Sequence, residues 1–503
     1  MKLRPYQFDT IRRVCEELEE RSSTLAVLAT GLGKTVILAH LAKRWPGRVL
    51  VLAHRDELVQ QAREKLVAVT GEDVGVEMGQ KGQLDEYAFI KPRLVVSSVQ
   101  TMCRPRRQRK FRACEFGLLV IDEAHHAVAR TYRSVLSHFQ QSPTLRVLGV
   151  TATPKRADQL AMGQVFQSVA YDYGIEPAVE HGWLVPIHQQ AVTVEGLDFS
   201  AVRSVAGDLN EHDLEAILAA EKVLHKVAAP TVEIAGDLPA LVFCVTVNHS
   251  RLMAEVLNRY KPRSAVALDG STPRDERRAT IERYKTGDIQ FLCNCGLFLE
   301  GFDAPTTALV VMARPTKSLA LYAQVLGRGT RPLPGIVDAF ADGAPEQRRN
   351  AIERSSKPWM LALDFVGNSG RHRIITAADL LGGKYGEPVR EYARKTAEQE
   401  GKAVAVDESL ARANDELALL EEIAQRKRLE AVKARAEYAI AEVSPFGSGG
   451  PQVEAVDRPA AGDPPTDKQR WYLVRRMGWK PEHVARVSKR QASAIIGKHR
   501  EEQ

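Results

Sequence analysis

Ten short apolar runs, arranged as two sets of five, constrain this chain more than anything else in it. The first set is LAVLA (25–29), RVLVLAH (48–54), RLVVSS (93–98), LLVID (118–122) and RVLGVT (146–151). The second is ALVFCV (240–245), SAVALDG (264–270), IQFLCN (289–294), TALVVMA (307–313) and MLALDF (360–365). Runs without polar alternation, separated by amphipathic stretches of helical length, predict strands buried on both faces of a parallel sheet. The expected fold class is α/β, with two tandem parallel-sheet lobes followed by a helical C-terminal region. The first lobe is expected over 1–190 and the second over 225–385, joined by a mostly helical connection over 191–224.

Beyond Lys384 the character changes. Residues 386–445 predict a long charged helix, because 408–443 is rich in Ala, Glu, Leu and Arg with apolar residues at helical spacing. A Gly/Pro-rich linker is expected over 446–465 and a small basic helical module over 466–503. The module's Trp471, Leu473 and Trp479 read as its core, since a tiny domain needs large apolar residues. The chain's formal net charge is +7, and the last 38 residues carry ten Lys or Arg against four Asp or Glu, a net +6. The electropositive part is therefore the tail, which suits a nucleic-acid or protein partner. Residues 408–443 offer a second partner surface.

Other classes are disfavoured. The N-terminal MKLRPYQFDT turns polar at once, no run approaches the roughly 18 apolar residues of a membrane helix, and a cytoplasmic protein is expected. Six scattered cysteines include no C-x-x-C pair, so neither a zinc site nor a disulfide framework is indicated. Cys293 and Cys295 share one face of their strand and read as core.

Chemistry enters at LATGLGKT, Leu28 to Thr35, which follows an apolar run and precedes a helical pattern. Gly31 and Gly33 let backbone N–H groups converge on an anion at a helix N-terminus. Lys34 would reach the β- and γ-phosphates, and Thr35 would give its hydroxyl to Mg²⁺. The opening glycine of the strict phosphate-loop pattern is absent, because Leu28 holds that slot. Further on, LLVIDEAHH ends an apolar strand with Asp122 and Glu123, on a strand expected to lie beside the loop. One carboxylate there can hold Mg²⁺ and the other can position or deprotonate an attacking water. Buried carboxylates are costly without a cation, so the two motifs together point to an ATPase or GTPase.

The missing glycine is itself informative. LATGLGKT with DEAH resembles superfamily 2 helicases, whose loop reads x-A-T-G-x-G-K-T, and the resemblance runs over roughly residues 1 to 370 in the expected order. It is similar to RadD-type and phage helicases and to restriction-enzyme motor subunits, with TATPKRADQLAMGQVFQSVAYDYGIEPAVEHGWLVP carrying that likeness. RadD-type proteins carry a C-terminal cysteine module, and no Cys follows Cys295 here, so the C-terminal region lies outside the match.

The resemblance implies two RecA-like lobes with ATP and Mg²⁺ between them. RPYQ (4–7) implies adenine contact by Gln7, with Arg4 or Tyr6 packing against the base. Thr30, Gly31, Gly33, Lys34 and Thr35 imply the phosphate loop, with Thr35 and Asp122 on the metal. CNCGLFLEGFDAP (293–305) implies nucleotide contact through Gly301 and Asp303. Gln324, Arg328 and Arg331 fit Q-x-x-G-R-x-x-R, implying two guanidinium groups that face the γ-phosphate from the second lobe. Catalysis would thus rest on Lys34, Asp122, Glu123, Gln324, Arg328 and Arg331.

LAHRDELVQQ, SSVQTM and LVFCVTVNHS imply nucleic-acid contacts by Arg55, Gln100, Thr101, Thr246 and Asn248, although a helix cap or turn role explains those residue types as well. The basic loop RPRRQRKFR (104–112) reads equally as a DNA contact or a solvated surface. The implied activity is an ATP hydrolase acting as a DNA helicase or translocase on single-stranded, double-stranded or forked DNA. Alternatives are a duplex translocase that remodels protein–DNA complexes without unwinding, an RNA helicase, and an ATP-switched nucleic-acid clamp. No nuclease constellation is visible.

Overall fold

A computed structural model describes residues 3–79, 91–152, 162–205, 207–299, 302–369, 372–442, 463–477, 479–484 and 487–501. Residues 1–423 form one compact unit and residues 424–503 a second. Two seven-stranded sheets lie in the first unit. The first sheet holds β1 (Ser23–Leu28), β2 (Val49–Ala53), β3 (Val74–Glu77), β4 (Leu94–Ser98), β5 (Leu118–Asp122), β6 (Arg146–Thr151) and β7 (Ser168–Tyr173), all parallel, in the order β3-β4-β2-β5-β6-β1-β7. Its central strands β1, β2, β4 and β5 are buried at every position, which is why they read as unbroken apolar runs.

The second sheet holds β8 (Ile187–Asp198), β11 (Ala240–Phe243), β12 (Ala265–Leu268), β13 (Phe291–Asn294), β14 (Leu309–Met312), β15 (Met360–Asn368) and β16 (Val404–Ala405). Their order is β12-β13-β11-β14-β15-β8-β16, parallel except where β16 pairs with β8. A small hairpin, β9 (Ser204–Val205) and β10 (Asp208–Leu209), stands apart from both. The two parallel-sheet lobes are those anticipated from the sequence.

The connection between the lobes is less helical than expected. Residues 187–198 are a strand of the second sheet, pairing with β15 from Ile187↔Met360 to Thr193↔Val366. Their buried side chains alternate through Ile187, Gln189 and Ala191, the period of a strand covered on one face. Helices Glu211–Leu218 and Glu221–Ala235 follow only after the hairpin.

The long charged helix over 386–445 is also interrupted. A first helix, Glu387–Glu400, stops at Gly401, whose φ of 61° suits a glycine cap. The strand β16 comes next, and then a 37-residue helix, Val406–Glu442. The tail forms three helices, Asp467–Arg475, Pro481–Val484 and Lys489–Glu501, around Leu473, Val484 and Ala492. Trp479 packs on that core, whereas Trp471 is 58% exposed and is not part of it. Among the described residues no helix is long and apolar enough to cross a membrane.

Candidate active site

β1 ends at Leu28 and the chain turns out of the sheet through Thr30–Gly33 into the helix Lys34–Arg44. Gly31 and Gly33 sit at φ 94° and 77°, where an L side chain is strained. Close approach excludes a side chain as well: a Cβ on Gly33 would lie 2.7 Å from the Gln7 amide nitrogen, and one on Gly31 3.1 Å from Cγ of Arg331. No side chain caps the helix that starts at Lys34, so its first N–H groups keep donor capacity for an anion.

The back of the loop is pinned by the N-terminal helix Pro5–Glu20. Tyr6 Oη and Gln7 Nε2 both donate to Leu32 O, at 2.9 and 3.1 Å, and Arg4 N donates to Gln7 Oε1 at 3.0 Å. Gln7 therefore stands on the loop with both amide atoms engaged by the chain. Arg4 lies over Trp183 at 5.2 Å and pairs with Asp338 of the second lobe at 2.9 Å. Arg348 of the second lobe also lies over the Trp183 ring, at 4.1 Å, so an aromatic and two arginines join the lobes here.

Asp122 and Glu123 are both 6% exposed at the end of β5. In the sheet β6 stands between β5 and β1, with Asp122 opposite Val150 and Ala26 opposite the same residue from the other side. The gap is crossed by side chains. Glu123 adopts φ 51° and ψ 57°, a left-handed conformation that costs about 1–3 kcal/mol in a non-glycine residue. In that position its Oε1 meets Lys34 Nζ at 3.2 Å. Its Oε2 is buried without a hydrogen bond, with His125 Nδ1 3.5 Å away and itself 3.2 Å from Thr151 Oγ1. The Glu123 N–H donates to Asp122 Oδ1 at 3.0 Å.

These residues fit Mg²⁺ by their chemistry. Hard carboxylate and hydroxyl oxygens from Asp122 and Thr35, with an unfilled carboxylate oxygen on Glu123, are donors for an ion that takes its remaining ligands from phosphate and water. Among the described residues no group of three or more His, Cys, Asp or Glu side chains forms a closed metal cage.

From the second lobe, the helix Leu319–Leu326, capped by the Ser318 hydroxyl, delivers the turn Gly327–Arg331 to this loop. Contact is direct. A Cβ on Gly327 would lie 2.5 Å from Cβ of Thr30, and the Arg331 stem covers Gly31. Arg328 is 6% exposed and donates from Nη1 to Phe302 O at 3.0 Å, while Arg331 pairs with Asp303. So Arg331 reaches the loop, whereas the Arg328 guanidinium bonds within its own lobe. Gln324 is half-buried on the same helix, and Gly301 lies outside the described residues.

Lys357, in no motif read from the sequence, donates to both Pro305 O and Arg331 O at 2.7 Å. Its only sequence signal is a charge placed just before the apolar run of β15.

The expected nucleic-acid contacts divide. Thr101 is 3% exposed and its hydroxyl accepts from Gly79 N and Ser98 Oγ, at 2.9 and 2.8 Å. Thr246 caps the helix Val247–Tyr260 by accepting from His249 N at 3.1 Å. Both hydroxyls accept from the chain itself, Thr246 from local backbone as a helix cap and Thr101 from a serine hydroxyl and a distant backbone N–H. Asn248 donates to Glu215 Oε1 at 3.0 Å and Gln100 to His54 O at 2.7 Å. Arg55 reaches across the seam to Gly296 O and Leu297 O, each at 3.3 Å. Nearby, Arg277 of the second lobe pairs with Glu57 of the first.

A cavity of about 190 Å³ opens between these elements, with Arg55, Arg277 and Lys285 beside Leu297, Phe298 and Phe302. In the basic loop, Arg107 and Lys110 are taken up by fully buried Glu77, at 2.7 and 3.4 Å, so part of that charge is structural.

Comparison with known proteins bears on the two lobes. The family profile described as the type III restriction enzyme res subunit matches residues 1–156, and that of the helicase conserved C-terminal domain matches 222–332. The helicase IRC3 of Saccharomyces cerevisiae is 32% identical over 355 residues, 65% of this chain and 49% of that protein. A 51.5 kDa protein of a Lactococcus phage is 30% identical over 308 residues, 60% of this chain and 61% of that one. This chain thus spans about half the length of the yeast relative. Among solved structures, a fragment of an HsdR subunit of a type I restriction enzyme from Vibrio vulnificus aligns with a TM-score of 0.53, at 21% identity, over 73% of this chain and 64% of that one. That likeness concerns the fold.

Proposed function

The chain belongs to the superfamily 2 helicases, and from that premise we propose that it is an ATP-dependent DNA helicase or translocase driven by hydrolysis between its two lobes. One observation carries the reading: the loop Thr30–Lys34 of the first lobe and the turn Gly327–Arg331 of the second are packed face to face. A nucleotide bound at the uncapped helix end would sit in that seam.

Lys34, now held by Glu123, is the nearest cation for the phosphates, and its transfer to them would release the Glu123 carboxylate. Glu123 then accepts a proton from water as the water oxygen attacks the γ-phosphorus and the bond to the β,γ-bridging oxygen breaks. Mg²⁺, on Thr35 and Asp122, would neutralise phosphate charge. Arg331 offers its guanidinium from the opposite face, and the cleaved phosphate removes what Lys34 and Arg331 held in common. Closure is favoured before hydrolysis and lost after it. A lobe pair that grips a strand through phosphates would convert this cycle into movement along DNA.

The test is ATP turnover measured side by side with single-stranded DNA, duplex DNA and RNA. DNA should stimulate turnover, and Lys34→Ala should abolish it. Stimulation by RNA alone, or turnover indifferent to nucleic acid, would refute the DNA assignment. Strand separation on a fork, compared with triplex displacement, sorts helicase from translocase.

A further inference from the structure

The turn that carries Arg331 is held from behind by one buried lysine. Lys357 lies between the helix Pro345–Glu353 and β15, is 3% exposed, and spans Pro305 O and Arg331 O. The two carbonyls belong to the segments that carry Asp303 and Arg331, which pair with each other. Among the described residues no carboxylate pairs with Lys357. Burial, and then the like charge of Arg331, push its pKa down to about 7. A methionine would fill this place without a buried charge, so the lysine is an expensive way to occupy space.

What it supplies is a compact amino group whose N–H donors, present with or without the charge, fix two backbone segments together. We propose that Lys357 is a positioning residue for Arg331, holding the backbone of the turn so that the arginine meets Gly31 across the seam. This rests on the reading of the site as an ATPase.

The test is a double-mutant cycle in the full chain at saturating single-stranded DNA. Lys357→Met should lower kcat by at least about tenfold, within the roughly 10²-fold that a 1 Å misplacement can cost. KM for ATP should stay within about twofold, because Arg331 acts on the transition state. On an Arg331→Ala background the same substitution should have no further effect. Should the methionine variant lose its melting transition, Lys357→Gln, which keeps N–H donors without charge, takes its place in the cycle. Wild-type kcat in a folded variant, or an equal loss with and without Arg331, overturns the proposal. A wild-type chain that fails to hydrolyse ATP sinks the functional reading instead.

A separate observation comes from the tail unit. Its core uses Leu473, Val484 and Ala492 and leaves Trp471 in solvent. Lys468, Trp471 and Arg475 recur at i, i+3 and i+7 on the helix Asp467–Arg475, so they share a face, and all three are exposed. Among the described residues no carboxylate pairs with Lys468, Arg475 or Arg476. An indole standing in water with a cation one turn to either side matches a base and its flanking phosphates. Half-buried Tyr472, at i+4 from Lys468, adds a second aromatic to this side of the helix, and the cations flanking the indole favour an anionic partner. The geometry points to a docking face for single-stranded nucleic acid on the tail.

A labelled 20-nucleotide oligo(dT), bound to the full chain without nucleotide, tests it independently of ATPase activity. Trp471→Ala should weaken binding at least about fivefold, the low end of one lost base stack. Lys468→Gln with Arg475→Gln should shrink the salt dependence by about 1.4 in log K per log salt. Unchanged oligonucleotide affinity in both variants overturns the assignment and leaves a protein partner for this face.

Discussion

The two faces of the seam are built on opposite plans. On the first-lobe face, Glu123 is held in a strained backbone conformation, one of its oxygens is buried without a hydrogen bond, and the helix at Lys34 has no side-chain cap. On the second-lobe face, each residue of the turn is tied down. Gly327 N, Arg328 N and Gly329 N bond back to Ala323 O, Val325 O and Leu326 O at 2.9–3.1 Å. Thr330 O accepts from Val185 N at 2.8 Å, and Arg331 O from Lys357. A Cβ on Gly329 would lie 2.9 Å from Met360 Sδ, so the turn is also pressed onto β15. The difference suggests a division of labour. The first lobe leaves a carboxylate oxygen and helix-end N–H groups available, and the second carries Arg331 on a turn whose backbone is already fixed while its guanidinium rests on Asp303.

The sharpest way to break this comparison is to remove that arginine. Arg331→Ala should leave nucleotide affinity largely intact and cut kcat by ~10³–10⁵, as loss of an arginine finger does. A normal kcat would return Arg331 to a structural role. Next, Glu123→Gln should lower turnover by about 10²–10⁴ while ATP still binds, since a general base is lost and a phosphate site is not. Single-turnover kinetics with bound-nucleotide measurement checks it.

A steric probe comes third. Gly327→Ala drives a methyl group against Thr30, an overpacking of about 1–3 kcal/mol. It should raise KM for ATP about 5- to 150-fold and lower the melting temperature of the unliganded chain only a little, because the shortest contact lies between lobes and the one within the second lobe, to Ala323 O, is 3.0 Å.

A pH effect sharpens the contrast further. Lys357 drops from the ordinary 10.5 to about 7, so above pH 7 the unfolded chain keeps a proton that the folded chain gives up. Stability of the wild type relative to Lys357→Met should therefore rise with pH between those values, by up to about 1.4 kcal/mol per unit. Denaturant unfolding at pH 6.5, 7.5 and 8.5 reads it. The smallest effect belongs to Asp338→Ala. Its pair with Arg4 spans the lobes but Asp338 is half-exposed, so the loss should stay below about 1 kcal/mol and shift KM for ATP little.

Much of the seam was legible before the coordinates. Strands buried on both faces announce themselves as apolar runs, and Lys34, Asp122 and Glu123 lie at the ends of such runs. Strands near a sheet edge do not. β3 and β7 are short or half-exposed, and β8 alternates in a stretch that otherwise reads as linker. Strand order is invisible too, which is why β6 between β5 and β1 went unforeseen. Polar residues at strand ends were ambiguous for a physical reason. The hydroxyls of Thr101 and Thr246 suit a phosphate and a donor of the chain itself equally, and the chain takes them. Trp471 was assigned to a core that Leu473, Val484 and Ala492 fill without it. Lys357 carries no periodic or motif signal, because what it binds is two carbonyls brought together only by folding.

The account stands on ATP closing the seam between the lobes. Spin labels at exposed positions 64 and 282, on the helices Asp56–Thr70 and Arg274–Thr286 of the first and second lobes, measure that separation directly by pulsed dipolar spectroscopy. In the Glu123→Gln chain with ATP the distances should collapse to one narrow short distribution, and with ADP they should spread to longer values. The same distribution with ATP, with ADP and with no nucleotide would contradict it.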